Sequence, residues 1–307
     1  MSTPRMLRLP GGTRRVTIET SRGSFAALEA TPATGVCERQ PALLVPGYTG
    51  SKEDFLPLLE SLAAAGRRVV AIDMRGQYET AGGTDPGDYQ LPALAADVAL
   101  IADDICRRDA PSRPQGQRIH VLGHSFGGLV ARELLLSRAA PACSLALMSS
   151  GPGTLAGPRA DFLRGILAGL DGADPAGLAG EIKRIWDTHL EPQAVADGVP
   201  DEIVGFLRRR MLTSSAAGLK AMAEILLSCP DRTAALARRR GTPKLVVYGE
   251  NDDAWDPQTQ EDMAARLDAK RVCIPGAAHS PAVEAPETVA SVLTGFWNAV
   301  ECGQRRR

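Results

Sequence analysis

Histidine is scarce in this chain, with four among 307 residues, so there are few imidazoles that could serve as a base or a metal ligand. The six cysteines, at 37, 106, 143, 229, 273 and 302, are scattered without a C-x-x-C pair or any metal-ligand spacing. That pattern argues against a disulfide framework and a bound metal, and predicts buried free thiols in a reducing cytoplasm. No apolar run approaches the ~20 residues that cross a bilayer. Met1 to Gly12 carries arginines but no continuous apolar stretch, so no secretory leader is expected. The net charge of −1 gives no reason to expect a nucleic acid or an anionic membrane as partner. Nucleotide-binding signatures are missing too. There is no G-x-G-x-x-G turn, and Gly47-Tyr48-Thr49-Gly50-Ser51-Lys52 lacks phosphate-loop spacing. Neither a metal nor an organic cofactor is therefore expected.

The chain does contain 44% hydrophobic and 23% charged residues, a soluble globular balance long enough for one large α/β domain with an insertion. Arginine triplets at 208–210, 238–240 and 305–307 read as solvated faces or a frayed tail. Val16 to Glu19 and Phe25 to Glu29 alternate around a turn and predict an edge hairpin. Ala42-Leu43-Leu44-Val45 and Val69 to Ile72 are continuous apolar runs, as expected of strands buried on both faces. Ser51 is placed to cap a helix from Glu53 to Ala65, and another helix is predicted from Leu91 to Arg108. Ser144 to Met148, Leu245 to Tyr248 and Arg271 to Ile274 are further strands, and Pro286 to Val300 a last helix. Strand–helix alternation of this kind predicts a doubly wound, mostly parallel sheet. It breaks from Pro152 to Pro230, where only helical patterns occur. The expected organisation is a core of residues 14–150 and 231–300, a helical cap at 151–230, and tails at 1–13 and 301–307.

The stretch Ile119-His120-Val121-Leu122-Gly123-His124-Ser125-Phe126-Gly127 joins a buried strand to G-x-S-x-G, and an apolar helical pattern follows. Strand, sharp turn and helix are what a nucleophile elbow requires: the serine sits in strained backbone and its hydroxyl projects from the sheet. His120 should be buried in the strand, His124 should point away from the serine hydroxyl, and His189 falls in the insertion. His279, in the loop after the last strand, is the base candidate, because sites in open α/β sheets form at the carboxyl ends of strands. The acid should come from the loop after Tyr248-Gly249, with Asp252 first and Asp253 as the alternative. Oxyanion donors are expected at the N–H groups of Phe126 and of Tyr48, with Thr49 as second choice. The order serine, aspartate, histidine is that of α/β-hydrolases.

These four segments together resemble a capped serine hydrolase of the α/β-hydrolase superfamily, from about Arg14 to Val300. The resemblance implies an oxyanion loop that is commonly His-Gly-x; here it reads Pro46-Gly47-Tyr48. Asp73-Met74-Arg75-Gly76-Gln77-Tyr78 resembles the family's D-x-R-G-x-G loop, with Tyr78 where glycine is usual. In the acid loop the family's proline would fall at 256, where this chain has Asp256 before Pro257. The implied activity is hydrolysis of a carboxylic ester, thioester or lactone through an acyl-enzyme on a small-molecule acyl substrate, with a carrier-bound acyl group compatible. The alternative is an acyl transferase or cyclase in a biosynthetic pathway; a peptidase, a C–C hydrolase and a non-catalytic binding module rank below both. Apolar residues recurring through the insertion, among them Phe162, Phe206 and Met211, are expected to line the acyl pocket.

Overall fold

A computed structural model describes residues 2–33, 35, 37–109, 118–137, 141–170 and 175–305. Its strands are β1 (Thr13–Thr20), β2 (Gly23–Ala30), β3 (Ala42–Val45), β4 (Val69–Ile72), β5 (Ile119–His124), β6 (Ala142–Met148), β7 (Lys244–Gly249) and β8 (Lys270–Ile274). They form one sheet in the order β1-β2-β4-β3-β5-β6-β7-β8. The β1–β2 and β2–β4 pairs are antiparallel, and every other pair is parallel. The sheet is mostly parallel, with helices on both faces, as the alternation in sequence predicts.

Successive side chains of a strand point to opposite faces, and the central strands are apolar throughout, so each face carries its own core. Leu43, Val45, Val121 and Leu145 pack on one side with α2 (Leu91–Asp109) and α3 (Phe126–Ser137). Ala42, Leu44, Leu122 and Ala146 pack on the other with α1 (Leu56–Ala64) and the carboxyl-terminal helix. Between β6 and β7 lie α4 (Gly157–Leu170), α5 (Pro175–Ile185), a π-helical turn (Trp186–Leu190), α6 (Glu191–Ala196), α7 (Asp201–Thr213) and α8 (Ala216–Ser228). Ile182, Trp186, Ile203, Phe206, Leu207, Met211 and Leu219 form a third cluster within this insertion. The chain then continues through α9 (Thr233–Ala237), α10 (Pro257–Arg266), α11 (Pro281–Glu284) and α12 (Pro286–Arg305).

Several expectations need correction. Arg210 is not solvated: it is fully buried, and its guanidinium donates to Asp54 Oδ1 and the Ser2 carbonyl, each at 2.7 Å. A buried cation needs such a partner, and Asp54 supplies the charge. Ser51 opens a short 3-10 turn before α1, in which its own N–H donates to Asp54 Oδ2 at 3.2 Å. The amino-terminal stretch is no loose tail. Ser2 is buried, and its hydroxyl lies 2.9 Å from that of Ser280. Leu7 packs on the insertion's cluster, and Leu9 on the core. At the other end, α12 runs past Val300, and buried Glu301 accepts from Arg67 at 3.0 Å. No disulfide forms among the described residues, but Cys273 and Cys302 are exposed rather than buried. No helix is long and apolar enough to cross a membrane among the described residues.

Candidate active site

Ser125 sits between β5 and α3 with φ 53, the left-handed region that a non-glycine residue enters at a cost of about 1–3 kcal/mol. Two hydrogen bonds hold the turn: Ser125 N–H donates to the Met148 carbonyl and Gly128 N–H to that of Ser125, each at 2.9 Å. Close approach explains the flanking glycines. A Cβ at Gly123 would lie 2.2 Å from the Gly127 carbonyl oxygen, and one at Gly127 would lie 2.3 Å from that of Pro46. The tight crossing of β5, α3 and the loop after β3 thus has no room for side chains, and it leaves Ser125 at the carboxyl edge of the sheet.

His279 and Asp252 reach the same edge from the loops after β8 and β7. His279 Nε2 lies 3.0 Å from Ser125 Oγ, and His279 Nδ1 lies 2.8 Å from Asp252 Oδ1. Asp252 also accepts from Ala254 N–H on Oδ1 at 3.0 Å and from Gln260 Nε2 on Oδ2 at 2.9 Å. Burial pushes its carboxyl upward, but hydrogen bonding and charge at His279, with the Ala254 and Gln260 bonds, bring it below the ordinary value. Burial holds the His279 imidazole below its usual range against the raising effect of Asp252. At neutral pH the ring is therefore the free base, able to accept a proton from Ser125. Asp253 faces elsewhere: its side chain is 62% exposed and takes a two-pronged pair from Arg159 of α4 at 2.9 and 2.6 Å.

The Pro46–Tyr48 loop runs beside the serine, where a Cβ at Gly47 would stand 3.1 Å from Ser125 Cβ. Phe126 is the first residue of α3, whose N–H has no preceding turn to bond. The N–H groups of Phe126 and Tyr48 donate to no loop carbonyl or side chain among the described residues. Gln77 braces the loop from below: its Nε2 donates to the Gly47 carbonyl at 2.8 Å, while its Oε1 accepts from Met74 N–H at 3.1 Å. Tyr78 has φ 41, the backbone region in which glycine is at ease, so the side chain here is held against strain. Buried Asp73 ties the two loops by accepting from Lys52 N–H at 2.8 Å and Lys52 Nζ at 2.7 Å.

Sequence reasoning did not find Gln77, Gln260, Glu284 or the use made of His124. His124 Nε2 lies 2.8 Å from the His279 carbonyl, with the two rings 5.2 Å apart, so it braces the His279 backbone. Burial pushes His124 down to about 3, which keeps it neutral. Glu284 accepts from Ser280 N–H at 3.1 Å and also from Ala278 N–H. The G-x-S-x-G pattern leaves residue 124 open, and nothing local marks the other three. Phe206 and Met211 are buried in the insertion's cluster, and Tyr48 packs against that cluster from the core side. Phe162 is 48% exposed on α4, and His189 is exposed. No group of three or more His, Cys, Asp or Glu side chains is arranged to hold a metal among the described residues.

The sequence model of the alpha/beta hydrolase family matches residues 42–292. Over 218 residues the chain is 28% identical to the pimeloyl-[acyl-carrier protein] methyl ester esterase of Aeromonas hydrophila, covering 68% of this chain and 77% of that one. It is 35% identical over 116 residues to a protein of Variovorax paradoxus assigned as carbamate hydrolase RutD. That match covers 38% of this chain and spans only 40% of the relative's length. A hydrolase from Pseudomonas aeruginosa PA01 superposes with a TM-score of 0.68 at 25% identity, covering 92% of this chain and 97% of the other. With 251 consecutive residues matched, the chain belongs to the alpha/beta hydrolase family and is an enzyme of the serine-hydrolase type.

Proposed function

We propose that this hydrolase cleaves a carboxylic ester, thioester or lactone through an acyl-enzyme on Ser125. The observation that carries the reading is the continuous line from Ser125 Oγ to His279 Nε2 and from His279 Nδ1 to Asp252. His279 takes the hydroxyl proton as Ser125 attacks the carbonyl carbon, and returns it to the departing alcohol or thiol. A water molecule then gives a proton to His279 and attacks the acyl carbon, and His279 passes that proton to Ser125 Oγ as the acyl–oxygen bond breaks and the acid departs. Asp252 stabilises the imidazolium in both halves. The Tyr48 and Phe126 N–H groups act as the oxyanion donors. The Aeromonas relative's name supports an ester as the bond and makes an acyl-carrier thioester worth assaying. A panel of acyl esters and thioesters, with and without an alcohol or amine acceptor, tests the reading. Hydrolysis by the wild type and none by Ser125→Ala is expected; product formed only when an acceptor is present would make the enzyme a transferase.

Residues 151–230 serve as the cap in this reading. Ser125 is only 7% exposed, and the cap-side cluster reaches Tyr48 of the oxyanion loop. Met211→Ala is expected to shift the preferred acyl chain by one or two carbons, because it enlarges an apolar wall. Phe206→Ala should do the same with a larger loss of stability, about 3–5 kcal/mol. Phe162→Ala tests whether the exposed α4 ring borders the mouth. An unchanged chain-length profile in all three variants would place the substrate elsewhere.

Gln77 is a positioning residue for the oxyanion loop, in place of the family's histidine. Gln77→Ala is expected to lower kcat by about 10- to 100-fold, since small misplacements of a catalytic group have effects of that order. KM should stay within about threefold, because ground-state contacts are untouched. Gln77→Glu, which keeps the shape and loses the donor, should behave similarly. Equal changes in kcat and KM would argue for general disruption instead.

The pH profile follows from His279. Its pKa is lowered by burial, so the imidazole remains a free base to below 6.5. The acid limb of kcat/KM is expected to have its half-maximum on the acid side of 6.5, rising with pH as the ring loses its proton. A half-maximum at or above 7 would contradict this.

A further inference from the structure

Asp252 lies in the stretch between β7 and α10, and backbone bonds fix the start of that stretch. Asn251 N–H donates to the Ala277 carbonyl at 2.8 Å, and Asp252 N–H to that of Gly249 at 3.2 Å. Asp256 fixes the end as the N-cap of α10, where its side chain accepts from Thr259 N–H at 2.9 Å. The middle is gathered by one side chain near the start of α10. Gln260 Nε2 donates to Asp252 Oδ2 at 2.9 Å and to the Trp255 carbonyl at 2.8 Å. Both hydrogens of the NH₂ group are thus spent, and turning the amide over would set Oε1 against two acceptors. Gln260 is fully buried, and its Oε1 has no hydrogen-bond partner among the described residues.

A buried acceptor without a donor lowers stability, and a leucine of similar bulk would occupy the position without that cost. What the polar side chain does in return is visible at the Asp252 carboxylate. Oδ1 takes His279 Nδ1 at 2.8 Å and Ala254 N–H at 3.0 Å, while Oδ2 takes Gln260. A carboxylate anchored on both oxygens cannot turn about its Cβ–Cγ bond. Oδ1 therefore stays in line with Nδ1 while positive charge builds on the imidazole. We propose that Gln260 is the positioning residue for the acid: it fixes the Asp252 carboxylate for His279 and acts on the reaction only through Asp252. This rests on the triad reading given above.

The test follows hydrolysis of p-nitrophenyl hexanoate by wild type, Gln260→Leu, Gln260→Glu, Asp252→Asn and the double variant of Gln260→Leu with Asp252→Asn, with melting temperatures recorded. Gln260→Leu is expected to lower kcat by about 10- to 100-fold with KM within about threefold, since a misplaced carboxylate weakens the transition state and not ground-state binding. In the Asp252→Asn background the same change should cost no more than about threefold, because the group that Gln260 serves is already gone. Gln260→Glu sets two carboxyls against each other, and such a pair holds one proton between them well above the ordinary carboxyl range. With that proton the donor to Oδ2 is restored; without it the two charges repel. The kcat/KM of Gln260→Glu should therefore fall as pH rises through that titration, an alkaline limb that neither wild type nor Gln260→Leu shows in the same range. A Gln260→Leu kcat above about a third of wild type, or an equal loss with and without Asp252, would leave a packing role alone and overturn the proposal. Should Gln260→Leu fail to fold, a Gln260→Glu profile without the added limb overturns it instead. Asp252→Asn with a near wild-type kcat would remove the acid assignment itself, and this proposal with it.

Discussion

Ser125→Ala is expected to lower kcat for any ester substrate by on the order of 10⁴-fold or more, and His279→Ala to do the same. In the proposed mechanism the two side chains, 3.0 Å apart, share one proton, and neither attack nor leaving-group protonation proceeds without both. Because they act as a unit, the double variant should be no slower than either single one. What remains would come from binding and from the Tyr48 and Phe126 N–H groups. Folding is a modest concern, since alanine at φ 53 carries strain similar to serine's and loses only the hydroxyl. Active-site titration with a fluorophosphonate followed by peptide mass mapping should place the label on Ser125. Either single variant retaining more than about 1% of wild-type kcat would argue that another residue is the nucleophile or the base.

Asp252→Asn is expected to reduce kcat by about 10³- to 10⁴-fold, and Asp253→Asn by no more than about threefold. Asp252 accepts three hydrogen bonds and donates none. An asparagine would have to turn its NH₂ toward His279 Nδ1 or toward Gln260 Nε2. The first holds the imidazole in the wrong tautomer; the second sets donor against donor in a buried site. Neither offers the negative charge that an imidazolium needs beside it. Asp253, by contrast, spends its charge on Arg159 in a largely exposed pair, an interaction typically worth about 0–1 kcal/mol. Kinetics of both variants on one substrate settle the matter, and a crippled Asp253→Asn beside a healthy Asp252→Asn would transfer the acid role.

The apolar runs at Ala42–Val45 and Val69–Ile72 were legible as strands because both faces of a central strand are buried, which leaves nothing polar to confuse the pattern. At the edge the signal fades. β1 begins at Thr13, three residues before its alternation becomes visible, because Arg14 and Arg15 face solvent and ion pairs. The five- and six-residue helices Thr233–Ala237 and Glu191–Ala196 are too short to show a period. Ser125, His279 and Asp252 could be picked out because each closes a strand at the same edge of the sheet, a position that topology predicts. Gln77 could not: its bond to the Gly47 carbonyl depends on how two loops meet after folding. Residue type alone also misleads. His120 stands 2.7 Å from Ser144 Oγ and 3.2 Å from Glu301, a serine–histidine–carboxylate line that is buried near the start of β5. Trp297 stacks on that imidazole at 5.3 Å, and no substrate reaches it. Burial and strand direction, not the three residue types, separate the two clusters.

The contact between Ser2 and Ser280 spans 278 positions, and Arg210 fastens the same amino-terminal residues to α7. Ser280 is the immediate neighbour of His279. During synthesis Ser2 leaves the ribosome before Arg210 and Ser280, and must wait until the cap and then the last strand have emerged. Loop-closure entropy makes so distant a pairing slow, and the rest of the sheet can be complete before it forms. The border of His279 is thus among the last places to be finished, and a nascent chain carries its serine elbow well before the His279 loop is in place.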